Sequence, residues 1–235
     1  MTDFKLKLSD INSRIKEAQK RGGKSGEVYI VGATKTLGAD VINEAVDAGL
    51  GIIGENRVQE FLEKYDKIKS ADFHFIGHLQ TNKVKYIIDK VSLIHSVDSV
   101  NLLREIDRQA KKTDKIQSVL VEVNISGEQS KFGTDEFEVY DILDAAEETE
   151  NIKVSGLMTM APYFENPADA SIYFKNMYNL FIDIRAKNHY HRSDMKFLSM
   201  GMSNDFEVAV EQGANMVRLG TVLFGERQWK MTNYK

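Results

Sequence analysis

Lys35 stands two residues beyond a short apolar run, "VYIVGA" (28–33), with Thr34 and Thr36 on either side. A lysine at the rim of a buried strand has two uses. It is a solvated surface charge, as most lysines are, or its amine is partly withdrawn from water. Desolvation favours the neutral amine, and the neutral amine is the nucleophile that condenses with aldehydes. Position alone leaves these uses even. A second stretch, "LSMGMSNDFEVAV" (198–210), sets Ser199, Gly201, Met202 and Ser203 ahead of a helical pattern with Phe206 and Ala209 inward. Such a loop offers unpaired N–H groups and the positive end of a helix dipole to an anion. Ser203 is equally suited to capping that helix, a reading that accounts for the serine but not for Gly201. A third stretch, "MVRLGTVLFGER" (216–227), carries Arg218 in an apolar run followed by Gly220 and Thr221. The amides of those two residues would complete a phosphate nest. A guanidinium in an apolar strand is costly unless it is paired or touches a ligand, and here the ligand is preferred over an ion pair with Glu122.

Other polar residues fall where apolar runs end. Asn56 lies in "GENRVQEF" (54–61) and His78 in "FIGHLQTNK" (75–83), with Asn124 and Thr159 after later runs. Asn56 and His78 suit contact with a ring or substrate, although an isolated Asn is more often a cap and an isolated His a satisfied polar group. His74, His95, His189 and His191 show no pairing with an acid at i, i+4, so no metal site is expected. The chain has no cysteine, which excludes disulfides and thiolate metal sites. No glycine-rich dinucleotide fingerprint follows a strand, because "GLGIIGE" runs into one.

The elements that must position these residues recur eight times as a short apolar run and then a helical pattern. The runs are 28–33, 51–54, 73–77, 92–97, 118–125, 153–160, 196–200 and 214–220. Continuous apolar strands alternating with helices are the mark of a parallel sheet covered on both faces. Asn166 and Pro167 suit a helix start, followed by a stripe of Phe174, Met177, Phe181 and Ile184. Phe137, Tyr140 and Leu143 are expected to form the stripe before the sixth strand, and Gly49 to end the helix after Lys35. At the start, Phe4, Leu8, Ile11, Ile15 and Ala18 repeat at helical spacing. The fold expected is α/β: a single (β/α)8 TIM-type barrel spanning 1–235 with an extra N-terminal helix. A doubly wound open sheet is the alternative. The length of 235 residues suits one barrel, typically about 250 residues. In barrels of this kind chemistry gathers at the C-terminal strand ends, where Lys35, Asn56, Ser199 and Arg218 fall.

Bulk composition narrows the classes. A net charge of −4 gives no electrostatic reason to bind nucleic acid or anionic lipid. No run approaches the roughly 20 apolar residues of a membrane span, and the start lacks a signal-peptide core. A cytoplasmic location is expected. Late aromatics such as Tyr173, Tyr178 and Phe181 read as a core stripe rather than an interface.

An amine on the first strand facing a phosphate cradle after the seventh and eighth suits a small molecule with an aldehyde and a phosphate. Pyridoxal 5′-phosphate (PLP) is the cofactor with both. The blocks "VGATKT", "GENRVQEF", "FIGHLQTNK", "VEVNISGEQSKFG", "GLMTMAP" and "FLSMGMSNDFEVAVEQGANMVRLGTVLFGER" together resemble the pyridoxal phosphate homeostasis protein family. In order from 31 to 227, they cover essentially the whole chain; Ala33 and Thr34 vary mildly from the usual residues around "KT". The resemblance implies a barrel like the N-terminal domain of alanine racemase, with PLP held as a Schiff base on Lys35. It places Asn56 beside the cofactor, matches 199–203 (with Ser199, Gly201, Met202 and Ser203) and Gly220-Thr221 to phosphate-binding segments, and sets Arg218 near the pyridine ring. It also implies cofactor handling without turnover, in support of intracellular PLP and of amino-acid and keto-acid pools. Racemases of this type add a second domain whose tyrosine serves from across a dimer, and the fifteen or so residues after the eighth strand leave it no room. A monomer is expected, with apo PLP enzymes as recipients of the cofactor; a PLP-dependent racemase or decarboxylase is the alternative.

Overall fold

A computed structural model describes residues 3–128, 131–187 and 189–226. Arg227, and Gln129 and Ser130 of the 121–133 block, lie outside them. Eight strands run in chain order as β1 (Tyr29–Ala33), β2 (Ile52–Glu55), β3 (Asp72–Phe75), β4 (Leu93–Val97), β5 (Gln117–Val123), β6 (Ile152–Thr159), β7 (Ser193–Met202) and β8 (Met216–Leu219). Each pairs in parallel with the next, and β8 returns to β1 through Val31↔Arg218 and Gly32↔Leu219, closing the barrel. The open-sheet alternative is thereby excluded.

The helices are α1 (Asp3–Arg21), α2 (Ala39–Asp47), α3 (Val58–Tyr65), α4 (Val100–Lys112), α5 (Glu138–Glu147), α6 (Ser171–Lys187), α7 (Phe206–Glu211) and α8 (Thr221–Phe224). The stripe Phe4, Leu8, Ile11, Ile15 and Ala18 is buried along α1, which packs on α7 with Arg14 and Arg21 bonded to Glu207. Asn166 accepts from the amide of Ala168 and starts a short 3-10 turn with Pro167 in it, which leads into α6 and its buried Phe174, Met177, Phe181 and Ile184. The turn after α2 contains Gly49, as expected. One stripe is corrected. Phe137 is 85% exposed, whereas Leu143 is buried as expected and Tyr140 partly so, with Val139, Ile142 and Ala146 completing the buried face of α5. Asp135 accepts the amides of Phe137 and Glu138, which turns the aromatic outward just before α5 begins.

Two apolar layers follow from strand alternation. The larger lies between strands and helices. The smaller fills the barrel interior with Val31, Ile76, Leu93, Leu120, Met158 and Met216. Above it the inward positions turn polar, and that change marks the site.

Candidate functional site

Lys35 leaves β1 on a tight turn whose every side is held. Thr34 is fully buried; its hydroxyl donates to Glu55 Oε1 at 2.5 Å and its amide to Gly54 O at 3.1 Å. Lys64, from α3, donates to Thr34 O at 3.0 Å and to Glu55 Oε1 at 2.9 Å. Thr36 sits in the left-handed region at φ 67°, a conformation uncommon outside glycine, and Glu60 Oε2 secures it by accepting its amide at 2.9 Å. Lys35 itself is half-buried. It lines a cleft of about 330 Å³ together with Ala33, Thr36, Gly220 and Thr221, within the ~300–1,000 Å³ range of small-molecule sites. Sequence reasoning missed Glu55, Glu60 and Lys64, whose signal is only an acid closing an apolar run and charges on the next helix.

The second wall differs from expectation in three places. β7 extends to Met202, so Ser199 and Gly201 lie within the strand and not in the loop after it. Gly201 has φ 92°, and a Cβ there would meet Ala209 Cβ at 2.6 Å and Phe206 Cα at 2.9 Å. The glycine therefore lets α7 pack on its own strand, which is a sufficient reason for it. Ser203 does not cap α7; Asp205 takes the cap position and accepts the amide of Met202 at 2.6 Å. The Ser203 hydroxyl reaches across to the next βα turn, accepting from Gly220 N at 3.1 Å and Val222 N at 3.3 Å. That link joins the β7 loop to the Gly220-Thr221 wall of the Lys35 cleft. Met202 is 39% exposed beside it.

Arg218 and Ser199 lie beneath this wall, inside the barrel. The guanidinium is 5% exposed and donates to Ser199 O at 3.0 Å, Ser199 Oγ at 2.8 Å and Thr159 O at 2.9 Å. Among the described residues no carboxylate pairs with it directly; Glu122 and Asp205 act on it through charge alone, while burial brings it down to about 10. Glu122 shares the inward face of β5 with Leu120, and burial pushes its carboxyl up to about 7, against the pull of Arg218 and with a further push from Asp98.

A stability prediction follows from Glu122. Its ordinary value is 4.5 and its folded value about 7, so between them the folded protein holds a proton that the unfolded chain has released. Stability is therefore full below about 4.5, declines through about 7 and stays lower above. The amount is on the order of 3 kcal/mol. Glu122→Gln is expected to raise the melting temperature at pH 8.5 and to leave it nearly unchanged at pH 5. Equal shifts at both values would show that the buried carboxyl is not the cause.

Asn56 lines a neighbouring cleft of about 220 Å³ with Phe75, His78 and Gln80, and not the one that holds Lys35. Its Oδ1 is buried without a partner, an acceptor prepared for a donor. His78 contacts Asp98 at 3.4 Å and stacks on Phe132 with centroids 4.0 Å apart. Asn124 bonds Glu128 O and supports its own loop. Among the described residues no group of His, Asp and Glu is arranged to hold a metal, and no helix is long and apolar enough to cross a membrane. The residues fit a phosphate-bearing aldehyde: an amine and the Gly220-Thr221 turn share one cleft, a serine hydroxyl is bonded into that turn, and an orphaned acceptor lies in the neighbouring cleft.

The family model described as "Alanine racemase, N-terminal domain" matches residues 6–228, so the chain is a barrel of that class. A pyridoxal phosphate homeostasis protein of Aquifex aeolicus (strain VF5) is 46% identical over 226 residues, covering 95% of this chain and 98% of its own. The chain belongs to the pyridoxal phosphate homeostasis protein family. PipY of Synechococcus elongatus, solved without PLP, superposes with a TM-score of 0.84 at 28% identity, covering 95% of this chain and all of PipY. Its structure with PLP bound gives 0.81 at 27% identity, with the same coverage. Alanine racemase of Clostridium difficile 630, at 0.66 and 16% identity, shares the fold over 93% of this chain and 61% of the racemase.

Proposed function

We propose that this chain holds PLP reversibly on Lys35 and so buffers the cofactor for other enzymes, without a turnover of its own. The observation that carries the reading is that Lys35 and the Gly220-Thr221 turn line one cleft, with Ser203 tied into that turn. It is supported by PipY, which has been solved with PLP bound, and by the names of the relatives. The aldehyde end belongs to Lys35. The phosphate end belongs to Ser203, Gly220 and Thr221, with the backbone of Gly201 and Met202 behind them. Asn56 contributes its unpartnered Oδ1. Arg218, backed by Ser199, would supply the charge on the ring-nitrogen side.

When bound, PLP supplies an aldehyde for covalent capture and a ring that withdraws electrons. Arg218 limits the second property. A guanidinium still charged at neutral pH opposes protonation of a nitrogen beside it, because like charges repel. Storage is thus favoured over carbanion chemistry. A monomer in the cytoplasm, with apo PLP enzymes as recipients, completes the reading.

The test is the absorbance spectrum of the purified protein titrated with PLP, then borohydride reduction and peptide mapping. A visible band and label confined to Lys35 are expected, with no solvent deuterium entering Cα of any common amino acid beyond the rate of free PLP. Label on another lysine overturns the assignment, and rapid deuterium exchange restores the racemase or decarboxylase.

A further inference from the structure

Below Arg218 the barrel interior holds two histidines that the proposed function does not use. Ser199 Oγ, which accepts from Arg218 at 2.8 Å, is 3.1 Å from His95 Nδ1. His95 Nε2 is 3.0 Å from His74 Nδ1. His74 Nε2 is 3.4 Å from a carboxylate oxygen of Asp72. His95 and Ser199 are fully buried and His74 is 4% exposed, whereas the Asp72 side chain is 50% exposed. Asp72 opens β3 and lines a basal cleft with Asp89, Lys90 and Lys115. The chain thus runs from the N-terminal end of the barrel up to the floor of the Lys35 site.

Its two ends fix its direction. Arg218 only donates, and an ionised Asp72 only accepts. The Ser199 hydroxyl, already accepting from Arg218, donates its hydrogen to His95 Nδ1. His95 Nε2–H then donates to His74 Nδ1, and His74 Nε2–H points to Asp72. In the reverse order His95 would donate to Ser199 Oγ, and the hydroxyl hydrogen would need an acceptor that no described residue supplies. Both rings are therefore neutral Nε2–H tautomers, assigned from the network. Burial first, and then the charge of Arg218, holds His95 well below the usual imidazole range, in agreement. Asp72 lies below the usual carboxylate range although burial raises it, because His74 and Ser92 hydrogen-bond to it and the charge of Lys115 favours its anion.

We propose that Asp72, at the opposite end of the barrel from the cleft, is a positioning residue for Arg218, acting through the one-way chain His74–His95–Ser199. The effect on cofactor hold rests on the function proposed above; the tautomers do not. The experiment is imidazole ¹⁵N NMR of the wild type, Asp72→Asn and Asp89→Asn, each without and with PLP, alongside a spectroscopic PLP titration. In the wild type, His74 and His95 resonate as neutral Nε2–H forms even without PLP. Asp72→Asn, whose amide can also donate, splits or shifts the His95 signals and weakens PLP hold roughly two- to thirty-fold. Asp89→Asn, which removes a neighbouring charge of the same sign, changes neither. An Nδ1–H His95 in the wild type overturns the chain. An unaltered His95 in Asp72→Asn, or an altered one with unchanged PLP hold, overturns the role of Asp72. If the wild type fails to load PLP, the function proposed above fails, and the cofactor-free spectra still decide the chain.

Discussion

Lys35→Ala loses the visible band and the borohydride label together while the protein keeps its fold. The backbone of the turn around position 35 is held by its neighbours. Thr34 is anchored to Glu55, Gly54 and Lys64, and Thr36 to Glu60. A truncation there removes an amine from a cleft and leaves those backbone bonds in place, so circular dichroism should keep the wild-type form. Residual, freely reversible binding should persist through Ser203 and the Gly220-Thr221 turn, and inorganic phosphate should compete with it. Lys64 is the control. It is part-buried beside the same turn, but Glu55 and Thr34 already hold its ammonium. A label that moves to Lys64 in the alanine variant, or that was always there, would transfer the covalent role to the wrong side of the strand and end the reading.

Arg218→Met is expected to cost stability first and ligand second. The substitution strands Ser199 O and Thr159 O, both without water to replace the guanidinium, and leaves Glu122 without its compensating charge. Stranding buried acceptors at roughly 1–3 kcal/mol each puts the cost at about 3–5 kcal/mol. For a chain of this size that is a fall of roughly 6–20 °C in melting temperature. Arg218→Lys separates charge from geometry. It keeps a cation near Glu122 but has no planar fork to reach three acceptors at once, so its melting temperature should lie between the two. Differential scanning calorimetry decides the matter; a lysine variant as stable as the wild type would mean that the three-point contact carries no weight.

Much of this architecture was legible in the chain. All eight apolar runs became strands, because a parallel strand buried on both faces must be apolar along its length, and "SVLVEVNI" or "KVSGLMTM" can scarcely be anything else. Lys35 and Gly220-Thr221 were legible for a related reason: in a closed barrel, neighbours across β1 and β8 are fixed by strand order. What escaped was whatever depended on pairing between distant segments. Nothing in "DFHFIGH" and "SLIHSV" announces that His74 meets His95, since each histidine follows alternation within its own strand and only closure of the barrel brings them together. Ser203 was read either as a phosphate ligand or as a cap of its nearest helix; its partners in the fold, the amides of Gly220 and Val222, are remote in sequence and were not foreseen. Phe137 was misread because a helix stripe was extended back into the Asp135 turn that precedes α5.

The tie between Ser203 and the Gly220 turn has one more consequence. With the serine seated on those amides, the two loops are stitched to each other through protein atoms alone. Occupation then exchanges one oxygen partner for another without having to freeze loose chain, and departure leaves the walls standing. A vessel of that kind fills and empties at little conformational expense, which favours lending over keeping.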